Sequence, residues 1–366
     1  MAAKGGGRIP SLDGLRAVSI SMVLLAHLAG TRGFLDGTSV LWRFAELGVR
    51  VFFVISGFLI TTLLFEDLQQ IAAGARSPRS ALKQFYIRRA YRIFPAAYAF
   101  VLTVAALSAL GIIHLLPGDL TAAVTFTTNF HQPRAWWIGH LWSLSVEEQF
   151  YLLWPTVVIV AGRRKALWFA MAALPVAPAI RVLTWIAWPG LRDYIGEAFP
   201  TIFDAIGVGC VLAGMRSWLG ASRAYMKFVS SFAFALIPLP ILVAAMLSLH
   251  PGFDMVLGQG VQNVAIAILI DGSIRLADTG WGRFLNSSPL VMIGKLSYSI
   301  YLWQQLFINR HSAAWSARFP INVGLALVTA FTCYRFIEQP FLRLRARRAN
   351  SNALATTYRV PRQQRH

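Results

Sequence analysis

Three ionisable side chains fall on one stripe of the first apolar run, and together they could move a proton and steady an anion. The segment reads Ser11-Leu12-Asp13-Gly14-Leu15-Arg16 and continues through apolar residues to His27. On a helix turning about 100° per residue, Arg16 and His27 differ by roughly 20° around the axis, and Asp13 lies roughly 40° to the other side of His27. At 1.5 Å per residue, His27 stands about 16 Å along that axis from Arg16. A neutral imidazole at such depth can accept a proton from a hydroxyl, the task of a general base. Ionisable residues in a membrane-spanning segment are costly and mark a functional site by default. The plainer alternative bonds His27 to a neighbouring helix and leaves Asp13 and Arg16 as an interfacial ion pair.

Two further clusters carry chemistry. Lys83-Gln84-Phe85-Tyr86-Ile87-Arg88-Arg89-Ala90-Tyr91-Arg92 is strongly basic, with Arg89 and Arg92 one helical turn apart. Such a pair, with Arg88 beside it, can clamp a phosphate through two parallel hydrogen bonds; an anchor for anionic lipid is the competing reading. The stretch from His140 to Tyr151 places His140 and Glu147 on one face with Ser143 between them, and adds Ser145, Glu148 and Tyr151. Two adjacent carboxylates entering a span need partners or a water-filled cavity, so a cavity is expected at the outer mouth of this span. Asp204, alone in a later run, either ties helices together or touches substrate. The run Gly294 to Gln305 brings Tyr301, and Glu338-Gln339-Pro340 closes the last span. No second ligand pair accompanies His140 and Glu147 at helical spacing, so no metal site is expected. Cys210 and Cys333 both lie in apolar runs without CxxC spacing, which argues against a disulfide framework.

The elements that would position these groups are transmembrane helices. Of 366 residues, 56% are hydrophobic and 13% charged, and the mean hydropathy is +0.56. A soluble domain carries about 25% charged residues, so the composition describes an all-α polytopic membrane protein. Runs of about 20 apolar residues occur ten times, near 15–34, 45–65, 93–115, 141–161, 166–188, 199–218, 228–249, 258–276, 289–308 and 319–339. Arg and Lys gather in alternate loops: Lys4 and Arg8, then Arg76 to Arg92, Arg163-Arg164-Lys165, Arg216 to Lys227, Arg275 and Arg283, and the tail from Arg343. The positive-inside rule then puts both termini in the cytoplasm. The net charge of +19 resides in these loops and gives no support to nucleic-acid binding. Residues 1–341 form the membrane domain; 342–366 is a basic cytoplasmic tail with nothing to bury, expected to be disordered. The first run is read as a retained span rather than a signal peptide, because Asp13, Arg16 and His27 suit an h-region poorly. No internal repeat is visible, which weighs against a secondary transporter.

In this order the segments resemble the acyltransferase 3 family of integral membrane acyltransferases. The resemblance runs from Leu12-Asp13-Gly14-Leu15-Arg16 with His27, through Gly48-Val49-Arg50-Val51-Phe52-Phe53-Val54-Ile55-Ser56-Gly57-Phe58-Leu59 and Arg88 to Pro95. It continues through Leu141 to Tyr151 and ends on Ser297 to Trp303 and Glu338-Gln339-Pro340. It implies transfer of an acyl group, commonly acetyl, from cytoplasmic acyl-CoA to a hydroxyl of a sugar or glycosylated acceptor, at the inner (plasma) membrane. Carried onto this chain, the family's first-span histidine is His27, its essential arginine Arg16, its cytoplasmic RxxR Arg89 with Arg92, and its fourth-span glutamate Glu147. The mechanism expected from these residues has Arg88, Arg89 and Arg92 holding the donor phosphates, His27 as base, Arg16 steadying the thioester carbonyl oxygen or a CoA phosphate, and Asp13 fixing Arg16. Ser145, Tyr151, Asp204 and Tyr301 are the candidate acceptor contacts. One departure stands out: many members have histidine where this chain has Gln304, which can hydrogen-bond but cannot act as a base at neutral pH. The appended esterase-like domain of some members has no counterpart in these residues, so a two-step relay would need a separate protein. The rival readings are a transporter or flippase using the same charges as a relay, and a catalytically idle scaffold.

Overall fold

The computed structural model describes residues 9–35, 39–247 and 251–358; Lys4, Arg8 and the basic residues 359–366 lie outside them. Among the described residues every regular element is helical, as the composition requires. Seven helices are long and apolar enough to cross a membrane, or eight if Arg223–Val229 and Phe232–Ala245, bent by 61°, form one broken span. The sequence has ten apolar runs, and the difference has local causes. Runs 141–161 and 166–188 share one helix, interrupted at Gly162, where φ of 77° and ψ of 170° break the helical path just before Arg163-Arg164-Lys165. Only glycine adopts such a conformation without strain. Run 289–308 does form a helix, but Lys295 and the buried Ser297, Ser299, Gln304 and Gln305 keep it less apolar than the seven.

The helices that frame the site are α1 (Pro10–Leu28), α2 (Ser39–Ala72), α3 (Pro78–Ala109), α4 (Leu141–Ala187), α5 (Phe199–Ala221), α6 (Gln259–Arg275), α7 (Ser288–Phe307), α8 (Ile321–Cys333) and α9 (Gln339–Tyr358). Pro10 opens α1 with its φ already helical, and Asp13 in the first turn complements the helix dipole. Ser77 caps α3 by accepting from the Ser80 N–H at 3.3 Å. A π-helical turn, Tyr334–Glu338, joins α8 to α9. The basic stretch that begins at residue 342 continues as helix to Tyr358.

Helix α1 lies between α2 and α7, α2 also packs on α5, and α4 on α5. The α2–α5 crossing is close because both partners present glycine. A Cβ at Gly57 would overlap the Ile206 carbonyl oxygen, and one at Gly209 would overlap that of Val54. In lipid, where apolar tails remove the hydrophobic drive between helices, such close approach supplies the packing energy. Phe53, Phe100, Phe150 and Ile300 fill one core, and Leu12, Ile55, Phe58 and Ile266 a second. Leu102, Val160 and Leu183 point outward and are 69%, 79% and 60% exposed. Such residues suit contact with acyl chains.

Candidate active site

Helix α1 delivers its charged stripe to two separate cavities. At its N-terminal end Asp13 is buried and stands 3.5 Å from the Arg16 guanidinium. Arg16 borders a slot of about 100 Å³ together with Arg89, Arg92, Ser56, Glu147, Tyr151 and Tyr298. Within it, Ser56 Oγ donates to Glu147 Oε1 at 2.8 Å, and Tyr151 OH lies 3.0 Å from Ser56 Oγ and 3.1 Å from Glu147 Oε2. This closed triangle satisfies a carboxyl group that would otherwise be buried without partners. The Arg89 guanidinium rests over the Tyr151 ring at 4.4 Å, while Arg92 reaches Glu338 Oε1 at 3.6 Å. Glu338 is itself held by Ser299 Oγ at 3.1 Å. The slot is therefore built from α1, α2, α3, α4 and α7, and Glu338, in the turn before α9, stands behind Arg92.

At the other end of α1, His27 borders a chamber of about 830 Å³. Its Nδ1 lies 2.9 Å from Gln304 Oε1 on α7. The ring nitrogen that carries the proton is set by the hydrogen bond the other nitrogen lacks or makes, so an Nδ1–H donated to Gln304 leaves the Nε2 lone pair available. The rings of Trp42 and Trp136 meet the imidazole edge-on at 5.3 and 5.9 Å, and the Arg310 guanidinium stacks on Trp42 at 4.1 Å. Trp142, Glu46, Arg50, Gln259 and Gln305 complete much of the wall. The segment that presents Trp136 is pinned by Asp119, which is fully buried. Asp119 accepts from Leu116 N–H at 2.8 Å and Ala135 N–H at 3.2 Å, and lies 3.0 Å from His131 Nε2.

Tyr301 and Val49 border both cavities. Tyr301 OH donates to the His140 carbonyl at 2.7 Å and lies 2.5 Å from Ser143 Oγ. The partition between chamber and slot is thus a hydrogen-bonded tyrosine between α4 and α7.

The residues singled out by spacing separate into three groups. Arg16, Arg89, Arg92, Glu147, Tyr151 and Tyr301 meet at the slot, with Asp13 beside Arg16, and His27 faces the chamber. Glu147 does not share an outer mouth with His140: the step of seven positions from one to the other spans about 10 Å of helix, so His140 borders the chamber and Glu147 the slot. Arg88, Ser145 and Asp204 border neither cavity, because each is engaged elsewhere. Arg88 lies 3.4 Å from Asp67, which Arg76 also bonds. Ser145 Oγ donates to the Leu141 carbonyl and accepts from Thr128 N–H, fastening the segment before α4. Asp204 pairs with the fully buried Arg181 at 2.9 Å, an arrangement that joins α4 to α5. Spacing did not point to Trp42, Glu46, Ser56 or the Gln304 contact; Ser56 sits in one of the segments that carry the family resemblance. For Glu338, the Glu-Gln-Pro sequence was the available signal.

The acyltransferase-domain family called acyltransferase 3 matches residues 9–334 of the chain. The O-acetyltransferase OatA of Staphylococcus aureus strain NCTC 8325 is 28% identical over 359 residues, and OatA of strain MRSA252 is 28% identical over the same length. Each of these alignments covers 91% of this chain and 57% of the relative, so the chain spans little more than half the length of the curated relatives it matches. No solved structure matches. The family match runs from the residue before α1 to the first residue of the turn after α8, through every helix that borders the slot and the chamber; the chain belongs to the acyltransferase 3 family.

Proposed function

We propose that this chain is a membrane O-acetyltransferase, moving an acetyl group from cytoplasmic acyl-CoA to a hydroxyl of a carbohydrate or glycosylated acceptor, with His27 as general base. The observation that carries this reading is the arginine-lined slot backed onto the His27 chamber across Tyr301. With the basic clusters on the cytoplasmic side, the slot opens toward the donor and the chamber toward the opposite face of the membrane. Arg89 and Arg92 take donor phosphates, and the extended pantetheine arm carries the thioester past Tyr301. Arg16, about 16 Å down the helix from His27, is too far from the reacting carbonyl to steady its oxygen and serves the donor's phosphates instead. In the chamber, Trp42, Trp136 and Trp142 offer ring faces to a sugar, and Glu46, Gln259 and Gln305 offer partners for its hydroxyls.

The reaction then balances simply. His27 Nε2 takes the hydroxyl proton as the acceptor oxygen attacks the thioester carbonyl carbon. The tetrahedral adduct collapses with cleavage of the C–S bond, and the imidazolium returns its proton to the leaving thiolate. The products are an acetyl ester and free CoA. Gln304 contributes by holding Nδ1–H and thus presenting Nε2. Purified protein in lipid nanodiscs, given labelled acetyl-CoA, is expected to release CoA only when a carbohydrate acceptor is present and to label that acceptor. Transport of substrate with no ester formed would instead establish the relay reading. Gln304→Leu, similar in size and free of a polar group to leave unpaired, is expected to lower kcat toward about a hundredfold by misdirecting the base. Its KM for donor should stay within about twofold, since Gln304 lies on the chamber side; steady-state kinetics with varied acetyl-CoA checks both.

A further inference from the structure

The basic stretch after Phe341 has no part in the mechanism above, yet α9 packs one of its arginines alongside the basic stretch of α3. Glu338, just before α9, is the residue that meets Arg92. Arg345 follows seven residues later, roughly 20° away around the axis and about 10 Å further along. Helix α9 runs beside α3: Tyr91 meets Phe341 at 6.2 Å between ring centroids, and the Arg348 guanidinium lies over the Tyr91 ring at 5.5 Å. Arg345 is half-buried there, within electrostatic reach of Arg88, Arg89 and Arg92.

Most of the surrounding charge is answered. Arg16 has Asp13 at 3.5 Å, Arg88 has Asp67 at 3.4 Å, and Arg92 has Glu338 at 3.6 Å. Arg89 and Arg345 have no carboxylate within ion-pair distance among the described residues; Arg89 rests on the rings of Tyr151 and Phe85, with Glu147 and Glu148 within its electrostatic reach beyond that distance. Two guanidinium groups held near other cations and partly removed from water repel each other, and an anion between them relieves both costs. Planar guanidinium groups match phosphate oxygens bidentately.

We propose that Arg345 on α9, together with Arg89 on α3, forms a phosphate site for the nucleotide end of the acyl-CoA donor. The C-terminal helix is then part of the donor site rather than an appendage. This inference rests on the donor reading above; an anionic lipid headgroup offers the same phosphate chemistry, and the test separates the two.

Wild-type protein, Arg345→Ala and Arg345→Lys are placed in nanodiscs of neutral phosphatidylcholine. CoA binding is measured by calorimetry, and KM is measured for acetyl-CoA and for S-acetylpantetheine, which has no nucleotide phosphates. Arg345→Ala is expected to weaken CoA binding and raise the KM for acetyl-CoA by about tenfold, the loss of one charge-assisted contact. Its acetylpantetheine KM should move less than about twofold, with Arg345→Lys intermediate for acetyl-CoA. Arg343→Ala, whose side chain is exposed and bonded to Gln339 at 3.3 Å, should match wild type. Equal losses with both donors would mean a structural role and overturn the proposal, as would unchanged CoA binding. A defect that appears only when phosphatidylglycerol is added would assign the site to lipid headgroups and overturn the donor assignment. Wild-type protein that binds CoA through Arg345 but turns over neither donor would defeat the transferase reading and leave the phosphate site standing. Turnover of acetyl-CoA by wild type, equalled by Arg345→Ala, would defeat this inference alone.

Discussion

His27→Ala is expected to lower kcat for acetyl transfer by about 10²- to 10⁴-fold, the usual contribution of a positioned general base, while the protein remains inserted and folded. The contrast between the two effects follows from where the ring sits. His27 is only 7% exposed, yet it borders the large chamber, so the space vacated by the imidazole merges with that chamber instead of leaving a closed void. The cavity penalty for truncating a buried side chain is correspondingly small. The group lost is the imidazole whose Nδ1 lies 2.9 Å from Gln304 Oε1. Arg16, Arg89 and Arg92 border the slot and not the chamber, so the KM for acetyl-CoA should change little. Initial rates with acetyl-CoA, read beside elution profile and thermal melting in detergent, test both halves. Activity within tenfold of wild type in a folded His27→Ala protein would remove His27 from the role of base.

Gly294→Val is expected to act in the opposite way, through the fold rather than the chemistry. A Cβ at position 294 would overlap the carbonyl oxygen of Asp13 and crowd its backbone. No side-chain rotation relieves a clash with main chain, so α1 and α7 must separate. Overpacking costs about 1–3 kcal/mol even where side chains can adjust, and this site offers no such adjustment. The crossing at Gly294 fixes the register of α1 against α7, and that register brings His27 to Gln304 at one end and Arg16 to the slot at the other. The variant should lose a few degrees of melting temperature, on the order of 1 °C per kcal/mol at the usual unfolding entropy per residue for a chain of 366 residues, and its activity with both cavities disturbed. Gly324→Val on α8, where a Cβ meets nothing within 4 Å, is the control and should melt within a degree or so of wild type. Fluorescence-detected chromatography after heating reads both; equal melting of Gly294→Val and wild type would refute the close crossing.

The helical class was readable from composition, because hydrocarbon solvates no backbone groups and a chain this apolar must satisfy them internally. Counting spans from hydropathy was less direct. The break at Gly162 depends on a backbone angle, and α7 keeps its polar side chains because α1, α4 and Glu338 bond them. The stripe of Asp13, Arg16 and His27 and the one-turn spacing of Arg89 and Arg92 are properties of single helices, so periodicity alone exposes them. The partners that decide what those groups can do come from far along the chain. Gln304 is 277 residues from His27, and Ser56 is 91 residues from Glu147.

The amino-acid sequence by itself thus determined that the protein is helical and membrane-embedded, and which helix faces carry charge, since both follow from local composition and a 3.6-residue period. Tertiary structure alone decided that one charged stripe serves two cavities, that Glu147 belongs with the arginines and not with His140, that Asp204 is spent on Arg181, and that α9 lies against α3. These are matters of crossing and register between helices. They rest on glycine contacts such as Gly294 against Asp13 and Gly57 against Ile206, whose partners no local pattern names.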